Sequence, residues 1–277
     1  MYTLHPVPRP IRIDALCTVF DVIRPANFYF PGESHDFWEL VYVCNGEVVV
    51  TADERVYHLR SGNLIFHKPM EFHRIWAEGS SEPHLMIISF AAGGEAMAQF
   101  QNGCFVLDQG QRKRFENMVA VYLQANSLKT EPNSRQYSMA AALTAAQLEC
   151  FLLRLAEDAA QLEQVHSGED AQYTRIVNVM KENCHKRMSL QELAQQCGLS
   201  VSNMKRIFRQ FSDIGIAQYF RSLKIRKAMA LLEEDHTASQ VAQMLDFTEI
   251  SYFYTVFKRE TGMTPIQYQR SRKDADI

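Results

Sequence analysis

Two histidines and two glutamates in the first third of the chain are the residues best suited to chemistry. Glu33, His35 and Glu39 lie close together in the sequence, and His73 ends the run His67-Lys-Pro-Met-Glu-Phe-His73. Imidazole and carboxylate groups can bind a divalent metal ion such as Zn, Ni or Fe, and they can also hydrogen-bond an organic ligand. A third interpretation is that His35 and His73 are hydrogen-bonded histidines of a folded core.

Aromatic and charged residues near these positions favour a small-molecule pocket. Aromatic faces can stack on the C–H patches of a sugar ring, while His, Glu and Arg can hydrogen-bond its hydroxyl groups. We therefore expect a sugar or sugar-like effector and no cofactor. The residues expected to bind it are Arg24, Glu33, His35, Trp38, Glu39, His73 and Trp76. The alternative metal site would consist of His35, Glu39 and His73, in a metal-dependent enzyme or a metal sensor.

A second group of polar residues lies in the last third of the chain, on a predicted amphipathic helix over 201–211. Met204, Ile207 and Phe208 fall on its apolar face, which leaves a polar face for solvent or a ligand. Polar and basic side chains on such a face can contact base edges and phosphates in a DNA major groove. The residues expected to contact DNA here are Ser200, Ser202, Asn203, Lys205, Arg206 and Arg209.

This helix belongs to a pattern that occurs twice. A capping-box sequence at 189–192 opens a helix that Gly198 ends, and a similar sequence recurs at 237–240 with Asp246 in place of the glycine. A repeated helix, tight turn and helix predicts two helix-turn-helix units and argues against a purely structural helical bundle. The units are expected over about 189–211 and 237–260, joined by a linker helix over about 216–234.

Charge and composition agree with a DNA-binding C-terminal domain. The 277 residues carry a net charge of -3, divided into -8 for residues 1–170 and +5 for residues 171–277. A local basic excess is expected where a domain binds nucleic acid. The hydrophobic content of 47% excludes a disordered chain. Apolar runs are shorter than a membrane span requires, and the N-terminus lacks a signal-peptide pattern, so we expect a cytoplasmic protein.

Residues 171–273 resemble the DNA-binding domain of the AraC/XylS family of bacterial transcription regulators. The resemblance is carried by Ala242-Gln-Met-Leu-Asp-Phe247, Ser251-Tyr-Phe253, Phe257-Lys-Arg-Glu-Thr-Gly262 and Thr264-Pro265. The family usually has Gly at Asp213 and Asp246, but Asp tolerates left-handed backbone better than most residues, so we expect the fold to be kept. The resemblance implies DNA contacts soon after Ser200 and Thr248. In the second unit these residues are Thr248, Glu249, Ser251, Tyr254, Thr255 and Lys258.

The N-terminal part alternates short apolar strands with turns, which predicts a small antiparallel barrel or sandwich. Strands are expected over 17–22, 38–43, 47–52, 55–59, 63–67 and 85–90. The segments His35-Asp-Phe-Trp-Glu39 and His67–His73 resemble the cupin-type effector domain of the same family. In metal-binding cupins the matching positions hold three His and one Glu, and Glu33 stands here where one of those His would be.

A long helix over 134–166 is predicted between the two parts. Its Ala and Leu residues alternate spacings of four and three, which forms a heptad seam. The seam could pack on the chain's own barrel, but we favour a homodimer interface. The residues expected in it are Leu148, Leu152, Leu155 and Leu162.

The expected fold class is α+β with two domains. The predicted organisation is a cupin-like antiparallel β-barrel over 1–110, a helical dimerisation segment over 111–166, a linker over 167–170 and an all-α DNA-binding domain over 171–277. The function that follows is a sequence-specific transcription regulator that responds to an effector and needs no catalysis. Its expected partners are double-stranded DNA, a small molecule, a second copy of the chain and, as a further candidate, RNA polymerase, but no membrane.

Overall fold

The computed structural model describes residues 5–127, 135–158 and 168–275. The chain divides into two compact units, Met1–Val165 and His166–Ile277. The first unit combines antiparallel sheets with two helices, and the second unit is helical, so the expected α+β class is confirmed.

The described part of the first unit contains nine antiparallel strands and a short 3-10 helix, Glu95–Phe100. The strands are β1 (Arg12–Ile23), β2 (Tyr29–Glu33), β3 (Trp38–Asn45), β4 (Glu47–Ala52), β5 (Arg55–Arg60), β6 (Asn63–His67), β7 (His73–Ala77), β8 (His84–Gly93) and β9 (Cys104–Val106). Their hydrogen bonds form two sheets, ordered β1-β8-β3-β6-β9 and β2-β7-β4-β5. We call this pair of sheets the barrel and the space between them its interior.

The alternation of side chains along β3 divides the apolar residues between two cores. Val41 and Val43 point into the interior, where they pack with Val48 and Val50 of the second sheet. Leu40 points to the opposite face, which is covered by helices. Because successive residues of a strand face opposite sides, every position of β3 has a defined side.

Three strands were not expected from the sequence: β2, β7 and β9. The β2 strand contains Pro31 and Gly32, both of which are depleted in strands, and β9 has only three residues. Their pairing with β7 and β6 stabilises them, which is a tertiary contribution that local propensity does not contain.

Two helices, α1 (Gln109–Ser127) and α2 (Arg135–Asp158), pack on the outer face of the five-stranded sheet. Leu148, Leu152 and Leu155 are at most 1% exposed and lie in this core with Phe115 of α1. The predicted seam therefore packs on the chain's own barrel, and these leucines are not available to a second copy. Leu162 lies outside the described residues.

Helix α2 bears on the expectation that no segment could cross a membrane. By length and composition alone, Ser138–Glu157 would qualify as a membrane span. A single such helix is weak support, because core helices of soluble proteins meet the same criterion. Since one face of α2 is buried against the barrel, we interpret it as a core helix of the first unit.

The described part of the second unit consists of seven helices. They are α3 (Gly168–Asn183), α4 (Leu190–Cys197), α5 (Val201–Phe211), α6 (Ile216–Glu233), α7 (Ala238–Met244), α8 (Ile250–Thr261) and α9 (Pro265–Ala275). The expected linker at 167–170 is wrong for its last three residues, which form the first turn of α3; Ser167 lies outside the described residues.

Local signals place the helix ends of the second unit. Ser189 and Thr237 each accept a hydrogen bond in the capping boxes that open α4 and α7. Gly198 adopts a φ of 68°, and Asp246 adopts a φ of 52° at the corresponding turn, as expected for a residue that tolerates left-handed backbone. The duplicated helix-turn-helix is therefore confirmed, as α4–α5 and α7–α8.

Candidate functional site

Four of the residues expected to bind an effector lie together at one end of the barrel interior. Glu33, His35, Glu39 and His73 each place a nitrogen or carboxylate oxygen within 4.8 Å of the others. The side chains of His35, Glu39 and His73 are 11%, 13% and 3% exposed, whereas Glu33 is exposed. We call these four residues the mouth cluster, because the cluster joins the buried interior to solvent.

Strand register brings the mouth cluster together. Glu39 on β3 points into the interior like Val41, two residues further on, and Glu33 on β2 pairs with His73 on β7. Phe30 pairs with Ile75, but the register shifts before Glu33. Moving three residues along β2, from Phe30 to Glu33, therefore corresponds to moving only two residues along β7. This bulge turns Glu33 to the side of His73, which strict alternation from Phe30 would not do.

Both cluster histidines have one ring nitrogen engaged with the backbone. The Nδ1 of His35 lies 3.0 Å from the carbonyl oxygen of Phe37, and the Nδ1 of His73 lies 3.1 Å from that of Glu71. A carbonyl oxygen only accepts, so each Nδ1 carries the donated proton. Both Nε2 atoms are buried and lack a hydrogen-bond partner, although that of His73 lies 3.3 Å from Glu39 Oε1.

The electrostatics of the cluster centre on Glu39. Burial alone would raise the pKa of its carboxyl group, but contact with His73 and the charge of that ring outweigh burial and lower the pKa to about 2. Burial likewise opposes the charged form of His73, yet Glu39 raises the pKa of His73 above its ordinary value. Burial and the charge of His73 lower the pKa of His35. Glu39 and His73 therefore stabilise each other's charged forms, whereas the charged form of His35 is disfavoured.

Two further residues complete the site and were missed in the sequence. The ring of His67, the first residue of the run that ends at His73, stacks on His73 at 4.2 Å and is fully buried. Its Nδ1 lies 3.0 Å from Glu71 Oε2. Ser89 donates a hydrogen bond of 2.9 Å to Glu39 Oε2. The sequence could have identified His67, because it begins the run that ends at His73. Nothing in the sequence distinguishes Ser89.

The structure does not bring the three other predicted effector residues, Arg24, Trp38 and Trp76, to the mouth cluster. Trp38 points to the helix-covered face of β3, because it precedes Glu39 in a strand. Trp76 stacks with Arg74 at 4.8 Å, on the face of β7 opposite His73 and Ile75. Arg24 follows the end of β1, and this end pairs with His84 of β8. His84 lies about 17 Å along β8 from the position that pairs with Glu39.

The first helix-turn-helix presents its predicted polar residues to solvent. Ser202, Lys205, Arg206 and Arg209 are exposed on α5, whereas the apolar face of this helix is buried. Asn203 accepts hydrogen bonds of 3.2 and 3.3 Å from Arg206, so the amide orients the guanidinium. Ser200 is the N-cap, with its Oγ accepting from the backbone N–H of Asn203.

The basic residues of α5 also border a groove of about 730 Å³ that extends to the start of α6. Arg209 and Lys205 line it together with Gly215, the N-cap of α6, which has no side-chain cap. Free backbone N–H groups at a helix start and nearby cations both favour an anion such as a DNA phosphate.

The second helix-turn-helix offers fewer charges. Thr248 and Glu249 are exposed and precede α8, and Tyr254 is half-buried. Thr255 donates its hydroxyl to the carbonyl of Ser251, which leaves less hydrogen-bonding capacity for a ligand. Lys258 is exposed in the last turn of α8.

Two side chains tie the turn of the second unit to the rest of the DNA-binding unit. Lys224 on α6 is 8% exposed and donates a 2.8 Å hydrogen bond to the carbonyl of Leu245. Arg187 donates through Nε to the carbonyl of Asp246 at 3.1 Å. These contacts satisfy two backbone carbonyl groups in the turn between α7 and α8.

Comparison with known proteins agrees with both halves of this architecture. Residues 23–156 match a family model described as an AraC-like ligand binding domain, and residues 193–271 match a helix-turn-helix domain model. The HTH-type transcriptional activator RhaR of Enterobacter sp. (strain 638) is 25% identical over 268 residues, 89% of each chain. RhaR of Mannheimia succiniciproducens is 22% identical over 247 residues, 88% of each chain.

Among solved structures, ToxT from Vibrio cholerae O395 matches with 12% identity and a TM-score of 0.39, over 95% of this chain and 98% of that one. The two family models together cover strands β2 to β9, α1 and most of α2, and most of both helix-turn-helix units. The chain therefore belongs to the AraC/XylS family of transcription regulators, with a ligand-binding domain followed by a DNA-binding domain.

Proposed function

We propose that this regulator is a cytoplasmic transcription activator whose DNA binding responds to a small polar effector, of the sugar or sugar-like class, held at the mouth cluster. The observation that carries the proposal is the convergence of Glu33, His35, Glu39 and His73 within 4.8 Å at one end of an otherwise apolar interior. Convergent polar groups beside an apolar lining are typical of small-molecule sites.

The chemistry of the cluster favours a ligand with several oxygen atoms. The carboxylates of Glu33 and Glu39 accept hydrogen bonds from hydroxyl groups, and the imidazoles can exchange donor and acceptor roles. Phe37 stacks on His35 with ring centroids 3.8 Å apart and so places an aromatic ring beside the cluster. The relatives named as transcriptional activators support the sign of regulation. The proposal requires no catalysis by the chain.

The proposed mechanism is a shift between populations of the regulator. An effector changes DNA binding only when its affinity differs between the two states. Two chains present four helix-turn-helix units to repeated half-sites on DNA, where RNA polymerase is the candidate partner for activation.

The proposed dimer uses the face of α2 that the barrel leaves open. Met139, Leu143 and Leu153 are 65%, 50% and 38% exposed. Together with the exposed Ala146 and Cys150 they repeat the four-and-three spacing of a helix-pairing seam. We therefore propose that the dimer interface lies on the exposed side of α2, opposite the buried leucines for which it was predicted.

The test is a thermal-unfolding screen of the full-length chain against monosaccharides, disaccharides, sugar acids and aromatic acids. An effector at about a hundred times its Kd adds roughly 2.7 kcal/mol, enough to raise the Tm by several degrees. The shift should vanish in His35→Ala and persist in His58→Ala, which removes an exposed histidine bound to Glu78 at 2.7 Å. A hit must also change the affinity for operator DNA in fluorescence anisotropy. Equal shifts in both variants would place the effector elsewhere.

A further inference from the structure

We infer that the second helix-turn-helix reads thymine methyl groups in the DNA major groove, through Ile250 and Tyr252 at the start of α8. The ligand class is a 5-methylated pyrimidine base, and neither residue was among those predicted to contact DNA. The inference deepens the proposed function, because it rests on sequence-specific binding of DNA by the DNA-binding unit.

The start of α8 carries two large side chains with apolar surface in an exposed position. Ile250 and Tyr252 are 47% and 49% exposed, whereas Phe253, Val256 and Phe257 of the same helix are at most 1% exposed. All Cα–Cβ bonds of a helix tilt toward its N-terminus, so side chains of the first turn project toward the helix start. In a helix-turn-helix, the N-terminal residues of the second helix contact the base edges. Ile250 and Tyr252 therefore lie where this fold meets the bases.

The polar groups beside these two residues are engaged with one another. The Ser251 hydroxyl donates to Glu249 Oε2 at 3.3 Å, and the Thr255 hydroxyl donates to the carbonyl oxygen of Ser251 at 3.0 Å. No residue over 250–257 is charged, and the basic residues of α8 lie in its last turn. Guanine is most often recognised by Arg or Lys. The start of α8 therefore lacks the cation that reads guanine.

Thymine offers an apolar group in the major groove, its C5-methyl group, and apolar side chains contact it there. Such a contact removes apolar surface of both partners from water, which is favourable. Successive helical residues point about 100° apart, so Ile250 and Tyr252 lie on either side of Ser251. They face different base pairs for this reason, and each contacts its own methyl group.

Aromatic packing holds Tyr252 in its exposed position. Its ring centroid lies 6.2 Å from that of Phe247, and the Phe247 ring packs on buried Phe253 with centroids 5.0 Å apart. The Nζ of Lys224 lies 5.6 Å from the centroid of Phe247. A side chain that is ordered before binding loses less conformational entropy when it contacts a ligand. This support favours Tyr252 as a reader of one defined base position.

The experiment starts from operator sequences that the full-length chain selects out of random DNA. Each thymine of a selected operator is then replaced by deoxyuridine, which keeps the base pairing and removes only the methyl group. Fluorescence anisotropy gives the affinity. Binding should weaken about fourfold at each contacted thymine, since this is what burial of one methyl-sized group contributes.

Two variants assign the contacts to their residues. Ile250→Ala and Tyr252→Ala should each abolish the effect of uracil at one position and retain it at the other. The control is Ile266→Ala, on α9, which removes an isoleucine of nearly the same exposure, 45%. This control should retain both effects.

Equal affinity of the unmodified chain for the thymine and uracil operators would overturn the inference and leave sequence-specific binding intact. So would a uracil effect that persists in both Ile250→Ala and Tyr252→Ala. Weaker activation of transcription by Ile250→Ala without any loss of DNA affinity would also overturn it, and would assign this side chain to a protein partner. A selection that enriches no sequence would refute the proposed regulator, and the inference with it.

Discussion

Glu33 is the register partner of His73, although strict alternation along β2 would direct it away from that ring. The bulge that reverses its direction contains Gly32, which has a φ of +100°. A Cβ at this position would lie 2.7 Å from the Phe72 ring and 2.8 Å from the carbonyl oxygen of His73. The relationship between Glu33 and His73 therefore depends on one residue without a side chain.

Replacing this glycine should damage the cluster and the fold together. Gly32→Ala meets both the steric clash and an unfavourable backbone conformation, so we expect a loss of about 1–3 kcal/mol in the free energy of unfolding. Urea unfolding measures the loss. Gly79→Ala is the matched control, because Gly79 also has a positive φ, of +61°, but nothing lies within 4 Å of the added Cβ. Equal losses in the two variants would show that the clash has no role.

Glu39→Gln should change the pH dependence of stability in metal-free protein. The pKa of Glu39 is lowered to about 2 from an ordinary 4.5, so its contribution is complete above pH 4.5 and is lost as the pH falls toward 2. The pKa of His73 is raised above 6.5, so its contribution is complete below pH 6.5 and is lost as the pH rises through the raised value. The Tm of the variant should therefore fall furthest below that of the unmodified chain between pH 4.5 and 6.5.

Circular dichroism melts from pH 3 to pH 9 provide this measurement. Glu78→Gln removes the carboxylate from an exposed His–Glu pair and serves as the control, with an expected effect near zero. A Tm difference for Glu39→Gln that stays constant across the range would contradict the assigned charges.

Leu143→Glu should convert a dimer into monomers without unfolding them. Leu143 is 50% exposed on the free face of α2, so a charge there is tolerated in the monomer but opposes an apolar interface. Sedimentation velocity gives the oligomeric state. Val106→Glu, at an apolar residue of β9 that is 46% exposed, should remain dimeric.

Leu152→Ala should instead cost about 2–5 kcal/mol in the free energy of unfolding, since Leu152 is fully buried.

Arg206→Ala should weaken binding to the operator by about 1–3 kcal/mol and relax base preference at one position. The expectation follows from the exposed guanidinium on α5, which Asn203 holds in place. Competition assays with single-base operator variants provide the measurement. Lys113→Ala, on α1 of the first unit, is a control of equal charge change. Uniform weakening on all sequences would identify Arg206 as a phosphate contact.

Arg209→Ala should weaken binding to every DNA sequence by a similar factor. This side chain lines the groove at the start of α6, where a phosphate would be bound. The slope of log K against log salt concentration should fall in magnitude by about one, because one fewer counterion is released. An unchanged slope would remove Arg209 from the DNA backbone contacts.

The sequence by itself determined the helical half of this protein to within a few residues. Capping boxes at Ser189 and Thr237, the turn at Gly198 and the apolar face of α5 are local signals, because helix hydrogen bonds and caps connect residues three or four positions apart. The duplication then identified two helix-turn-helix units. The sequence also named the four residues that the fold brings together in the mouth cluster, but not His67 and Ser89, which lie beside them.

Only the tertiary structure decided which face of each strand or helix packs against the rest of the protein. Trp38 and Glu39 are neighbours in sequence and lie on opposite sides of a sheet, and a single bulge returns Glu33 to His73. On α2, both sides carry the heptad spacing, and the sheet that packs on Leu148 and Leu152 selects the buried one. Lys224 is buried because α7 ends beside it. Periodicity defines the faces of an element, but the partner that covers a face comes from distant parts of the chain.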